Sequence, residues 1–239
     1  MLLNLDLTKI LFLDIETVPQ LADYKGLDDK TASLWDDKAG KLSKNESTGE
    51  EMYERAGIYA EFGKIICISV GYFLLREGGK REFRMRSFYG EDEKILLEEF
   101  ADVLNNHYNS PTQLLCGHNS KEFDFPYIAR RMVINRIQVP KILDMVGKKP
   151  WEVQHLDTME LWKFGDWKSY TSLKLLTHVL DVPTPKTDIE GKDVARVYYE
   201  EKDLGRIERY CKRDTLAVAQ VLLRFRGEDI LNDDQVVGL

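Results

Sequence analysis

The chain has 239 residues, 43% of them hydrophobic and 31% charged, enough to bury a core in one large domain or in one domain with an insertion. A formal net charge of −7 argues against a protein that coats duplex DNA electrostatically, but not against one that gathers carboxylates around bound cations, which reverse the local sign. No apolar run approaches the roughly eighteen residues of a membrane helix, the N-terminus carries no basic leader, and Cys67, Cys116 and Cys211 form no CxxC pair. These features lead to an expectation of a reduced, cytoplasmic protein with no membrane attachment and no zinc site.

In chain order, Ile10 to Ile15 is a short apolar run suited to a buried strand. Residues 20–60 are polar, rich in Asp, Glu and Lys, and read as a partly helical insertion. A second strand follows over 64–74, rich in β-branched and aromatic residues. Gly78-Gly79 marks a turn into a third strand over 82–89, joined as a hairpin. Residues 91–106 carry Ile95, Leu96, Phe100, Val103 and Leu104 at helical spacing. Gln113 to Cys116 is a fourth strand and Phe125 to Arg136 a helix, with Pro126 tolerated in its first turn. Val153 to Leu156 is a fifth strand. From Thr158 to Arg226 the pattern is mainly helical, broken by Pro183 and Pro185. A hairpin, then strand–helix alternation, then helices gives an α/β fold: a mixed sheet with helices on both faces. The whole of 1–239 reads as a single domain carrying the 20–60 insertion.

Three constellations carry candidate chemistry. Asp14 and Glu16 are two apart at the end of a strand, so both carboxylates point to one face while Ile15 turns to the other. Such a pair is costly to bury unless a divalent cation neutralises it, and oxygen ligands suit Mg²⁺ or Mn²⁺. The ordinary alternative is a solvated strand end leading into Pro19. Gly117 to Asp124 follows the fourth strand and opens a helix, a junction where α/β proteins place their sites; Asp124 is a third carboxylate there, or simply a helix cap. Tyr210 and Asp214 are four apart on the last long helix, a phenol and a carboxylate on one face, or a surface Asp beside a half-buried Tyr.

Taken in order, Asp14-x-Glu16, Asn119-x3-Phe123-Asp124 and Tyr210-x3-Asp214 resemble the three exonuclease motifs of the DEDD superfamily. The middle motif is most similar to the proofreading domains of family-B DNA polymerases. Further features are similar to a stand-alone group related to those domains: the strand Ile65–Gly71, Leu156-Asp157-Thr158-Met159-Glu160-Leu161, Ser172-Leu173-Lys174-Leu175-Leu176, and the Pro183–Val194 loop. The resemblance spans about residues 8–226, apart from the insertion. It implies an RNase H-like fold with a five-stranded mixed sheet flanked by helices. It also implies a 3′–5′ exonuclease using two divalent cations, Mg²⁺ or Mn²⁺, held by Asp14, Glu16, Asp124 and Asp214. Tyr210 would then orient the attacking water rather than deprotonate it, because a phenol is a poor base near neutral pH. The histidine subclass has His five residues before the last Asp; here that residue is Arg209, so the tyrosine subclass is indicated.

The same resemblance puts the backbone of Ile15–Thr17 against the terminal base, with Asn119 and Phe123 near the last nucleotides; Lys186, in the Pro-flanked loop, is a candidate for contacting DNA. Phe123 has an alternative as a hydrophobic staple. Arg130-Arg131, Lys148-Lys149 and Lys163/Lys168 are candidate phosphate guides, or solvated surface charge. A structural role is expected for His118. The expected substrate is a single-stranded DNA 3′ end. RNA is the alternative, in an exoribonuclease of the same fold whose pocket would read the 2′-OH. A catalytically silent binding subunit is a further alternative, opposed by the complete carboxylate set; an endonuclease is opposed by the tyrosine motif. With no polymerase-like segment and a short acidic tail over 228–239, a free exonuclease or a subunit working beside others is expected.

Overall fold

The computed structural model describes residues 2–44, 46–166, 170–183 and 188–239. Its centre is β1 (Ile10–Pro19), flanked by antiparallel β2 (Gly63–Leu75) and parallel β4 (Leu114–Gly117). β3 (Arg81–Tyr89) pairs antiparallel with β2 across a turn in which Gly78 and Gly79 both take positive φ. β5 (Leu156–Asp157) lies parallel to β4, giving the order β5-β4-β1-β2-β3. This mixed α/β sheet with helices on both faces has the RNase H-like architecture expected.

The strand count differs by one. β6 (Val236–Val237) runs parallel to β3 opposite Phe83 and Arg84, making six strands. Two residues after an Asp-Asp pair carry no periodic signal, and only the open edge of β3 gives them a partner. The fifth strand is also shorter and later than Val153–Leu156, because residues 150–152 form a 3₁₀ turn.

Alternation along β1 sorts its side chains between two cores. Leu11, Leu13 and Ile15 pack with α3 (Glu93–His107) and α4 (Asp124–Ile134) through Leu97, Phe100, Leu104, Phe125, Ile128 and Met132. Ile10 and Phe12 face the other way, onto Phe73, Phe83 and the Val218–Leu222 face of α8 (Leu204–Phe225). A 22-residue helix is allowed here because the Asp203 side chain caps the Arg206 amide and no proline interrupts. Asp14 and Glu16 continue the Phe12 side of the strand, so the fold delivers them to α8.

The segment after β1 contains α1 (Asp29–Ser43), capped by Asp28, and α2 (Gly49–Met52), opened by a Thr48/Glu51 capping box. They close over a small core around fully buried Trp35, whose indole donates to the Gly49 carbonyl at 2.7 Å. Main-chain groups join this segment to α4: Tyr127 donates to the Gly57 carbonyl and Arg131 to that of Ala60, at 2.7 and 2.8 Å. Arg131 also meets Glu93 of α3 through two contacts, and Glu93 in turn accepts the Ile65 amide of β2 at 2.7 Å. The phosphate-guiding role considered for Arg131 is therefore ruled out: its guanidinium is a buried structural cation.

The C-terminal half adds α5 (Thr158–Trp162), α6 (Leu173–Val179), α7 (Val194–Arg196) and a π-helical turn, Val197–Glu201. The last two pack Val194, Val197 and Tyr198 against Val18, Ile207 and Cys211, covering the outer end of β1 beside α8. Among the described residues no helix is long and apolar enough to cross a membrane.

Candidate active site

Three elements bring the acidic residues together. β1 supplies Asp14 and Glu16; Glu16 lies opposite Cys67, after which the β1–β2 register slips by one residue. α8 supplies Tyr210 and Asp214, one turn apart on one face of the helix. Asp124 is the first residue of α4. The β1–β4 ladder ends at Phe12, and past that end Asp124 Oδ1 accepts the Ile15 amide at 3.2 Å. The charges of Asp124 and Asp214 bear on both Asp14 and Glu16.

The loop that carries Asp124 is held tightly. Gly117 has to be glycine, because a Cβ there would stand 1.8 Å from the Ser120 hydroxyl oxygen. Asn119 takes a left-handed conformation, φ 61°, which asparagine tolerates better than most residues. Buried Asp157, at the end of β5, accepts the amides of Asn119 and Lys121 at 2.9 and 3.0 Å and also caps α5 through the Met159 and Glu160 amides. Sequence reasoning gave Asp157 no role. An Asp directly before a helical segment is an N-cap signal, but its second set of partners is non-local. His118 has the structural role expected of it: one ring nitrogen meets the Thr158 hydroxyl and the other the Thr171 carbonyl, each at 2.9 Å, and burial pushes its pKa down.

Burial dominates the electrostatics. It raises the Asp14 carboxyl well above the carboxylate range, with Asp124 and Asp214 adding to the effect, and it raises Glu16 similarly, helped by Asp14 and Asp214. Asp124 is pushed up to about 7 by burial, against hydrogen bonds that favour its charged form. Asp214 is pushed to about 6 by burial, opposed by the Tyr210 hydroxyl. Burial, then the neighbouring carboxylates, drives the Tyr210 phenol far above its ordinary value, so it is a hydrogen-bond donor at any physiological pH. Among the described residues no Lys, Arg or His nitrogen comes within 4 Å of these four carboxylates. Buried acids without a protein counter-charge are a donor set suited to hard divalent cations.

Cys211 stands beside this set. Its sulfur lies within 4.8 Å of carboxylate oxygens of Asp14 and Glu16, and its thiol donates to the Asp14 carbonyl at 3.3 Å. Burial raises the thiol pKa, and a neutral thiol is a poor ligand for Mg²⁺ or Mn²⁺, so its place is in packing α8 onto β1.

The expected substrate contacts fall in different places. Ile15 buries its side chain in the α4-side core, leaving only its backbone toward the site. Thr17 is half-buried on β1 one residue beyond Glu16. Phe123 is half-buried with its ring 5.3 Å from that of Tyr127, the staple arrangement. The Asn119 side-chain oxygen is buried with no partner within hydrogen-bonding distance. Lys186 and Lys168 lie outside the described residues.

Residues 58–234 match the model of a family described as "predicted 3'-5' exonuclease related to the exonuclease domain of PolB". That span includes Asp124, Tyr210 and Asp214 and begins after Asp14 and Glu16. Among solved structures, the family B DNA polymerase from the hyperthermophilic archaeon Pyrobaculum calidifontis aligns with a TM-score of 0.47 and 17% identity, covering 90% of this chain and 24% of that one. The chain thus spans about a quarter of the length of that polymerase. No curated protein matches the chain.

Proposed function

Since the chain belongs to the family of predicted 3′–5′ exonucleases related to the exonuclease domain of PolB, we propose that residues 1–239 act as one exonuclease domain, removing nucleotides from single-stranded DNA 3′ ends. The observation that carries this reading is the gathering of Asp14, Glu16, Asp124 and Asp214, all with raised pKa values, around a protonated Tyr210. In this reading those carboxylates hold two divalent cations, Mg²⁺ or Mn²⁺. When bound, such a pair stabilises charge on the attacking and leaving oxygens of an in-line phosphodiester hydrolysis.

The protein's own groups have separable tasks. Asp14 and Glu16 are fixed by a central strand and Asp214 by a long helix, so the ligand set is rigid before substrate arrives. Asp124 is held by its bond to the Ile15 amide, with its loop anchored by Asp157. Tyr210 cannot serve as a base; its O–H, one helical turn from Asp214, is a donor that can orient a water beside that carboxylate. The unpartnered Asn119 oxygen is an acceptor for a group on the terminal nucleotide.

The test is product analysis on DNA and RNA, single-stranded or blunt duplex, with either end blocked in turn and Mg²⁺ or Mn²⁺ present. Expected are mononucleotides, faster release from single-stranded DNA than from blunt duplex, and arrest by a blocked 3′ end. Degradation that stops only with a blocked 5′ end reverses the proposed polarity. Oligomeric products point to an endonuclease, and faster release from RNA than from DNA reassigns the substrate.

A further inference from the structure

Residues 163–166 and 170–171 adjoin the loop that carries Asn119 and Asp124, each stretch following or preceding a residue tied to that loop. On the near side, α5 is capped by Asp157, which also binds the Asn119 and Lys121 amides, and Lys121 pairs with Glu160 at 2.6 Å. On the far side the Thr171 carbonyl meets His118, next to Asn119. Between these anchors stand two aromatic rings that the fold does not bury: Phe164 is 87% exposed and Tyr170 71%. Phe164 also takes a positive φ of 44°, unfavourable for a bulky residue. Two large exposed rings beside a candidate site call for a ligand rather than a packing explanation.

Lys121, Lys148 and Lys163 line one cleft of about 230 Å³ with Glu122, Asp157 and Glu160. Lys121 is taken by Glu160, whereas Lys148 and Lys163 have no carboxylate within 4 Å among the described residues. Unpaired lysines next to exposed rings match a nucleic-acid strand, whose bases stack and whose phosphates need cations.

We propose that Phe164 and Tyr170 form a stacking platform for the bases of single-stranded DNA upstream of its 3′ terminus, with Lys148 and Lys163 on the adjoining phosphates. This rests on the exonuclease reading for the direction of the strand but not for its binding. The platform is sequence-tolerant, because every base has a face to stack. It also explains how an acidic protein holds a strand: the grip is local, at a few nucleotides, rather than a long-range field.

The test separates binding from cleavage. Anisotropy of labelled oligothymidylates of about twenty and about three nucleotides is measured in EDTA for the wild type and for Phe164→Ala/Tyr170→Ala. Loss of one stacked base should weaken the longer oligomer about 5- to 150-fold, loss of two by more, and leave the short one nearly unchanged. Phe164→Trp should restore affinity. Both residues are exposed, so thermal denaturation should be unaltered. Unchanged affinity of the folded double variant for the long oligomer overturns the platform. If that affinity falls while the wild type cuts no DNA with Mn²⁺, the exonuclease reading fails and the platform stands.

Discussion

Asp214→Asn is expected to stabilise the cation-free protein. The Asp214 carboxyl is pushed to about 6, against an ordinary value near 3.9, a shift of roughly two units or about 3 kcal/mol. The side chain is only partly shielded from solvent, so about 2 kcal/mol is the reasonable size of the effect. A raised carboxyl means that the folded state holds its proton more tightly than the unfolded chain. The stabilisation is therefore present below about pH 4 and is lost as pH rises from about 4 to about 6. Above that range the wild type carries a half-buried charge, with no protein cation within 4 Å among the described residues, that asparagine lacks. In EDTA at pH 8 the variant should melt about 4–8 °C higher, while at pH 4 the two should nearly coincide. Mn²⁺ should raise the wild-type melting temperature at pH 8 and the variant's much less, and wild-type cation affinity should fall as pH drops through about 7 and 6, where Asp124 and Asp214 take up protons. Calorimetric melts across this pH range, with and without Mn²⁺, read all of these. Equal wild-type and variant stability at pH 8, together with no response to Mn²⁺, would refute the idea that these carboxylates are a cation site held apart by repulsion.

Other perturbations distinguish the roles of neighbouring groups. Asp214→Ala should abolish nearly all nuclease activity with the fold intact, whereas Tyr210→Phe should cost at most about 10²–10⁴-fold in kcat; wild-type rates for Asp214→Ala in Mn²⁺ would remove the last motif from the site. Asp157→Ala frees the amides of Asn119 and Lys121, so it should lower the melting temperature and reduce kcat while Asp157→Asn recovers part of both; an unchanged kcat would mean that the loop needs no anchor. Glu93→Ala leaves the Arg131 guanidinium buried without its partner and should cost about 3–5 kcal/mol in denaturant unfolding, whereas replacing both residues by apolar ones should cost far less.

How much of this could be read along the chain depends on how local each cause is. The apolar run Ile10–Ile15, the hairpin glycines at 78 and 79, and the helical spacing around Phe100 are local preferences, and the structure keeps them, with β1 running four residues further, to Pro19, and α3 shifted by one or two. The i, i+2 geometry of Asp14 and Glu16 and the i, i+4 geometry of Tyr210 and Asp214 are equally local, which is why both pairs could be named before any contact between them was known. Composition marked residues 20–60 as polar and partly helical but gave no sign of the core they close around Trp35, and it misled at Arg131, whose charge looked external until Glu93, thirty-eight positions away, met it. β6 exists only because β3 offers an edge.

By itself the sequence determined the strand and helix periods and the spacing of the acidic residues, since backbone geometry converts spacing directly into a shared face. Only the tertiary structure decided that the β1 face bearing Asp14 and Glu16 is the one α8 covers, and that Asp124 comes to rest on the Ile15 amide, 109 positions away. It also decided that Asp157 anchors the loop between them. Those outcomes depend on burial and on which backbone groups remain unpaired where a strand ends. Both are properties of the assembled sheet, and no window of sequence contains them.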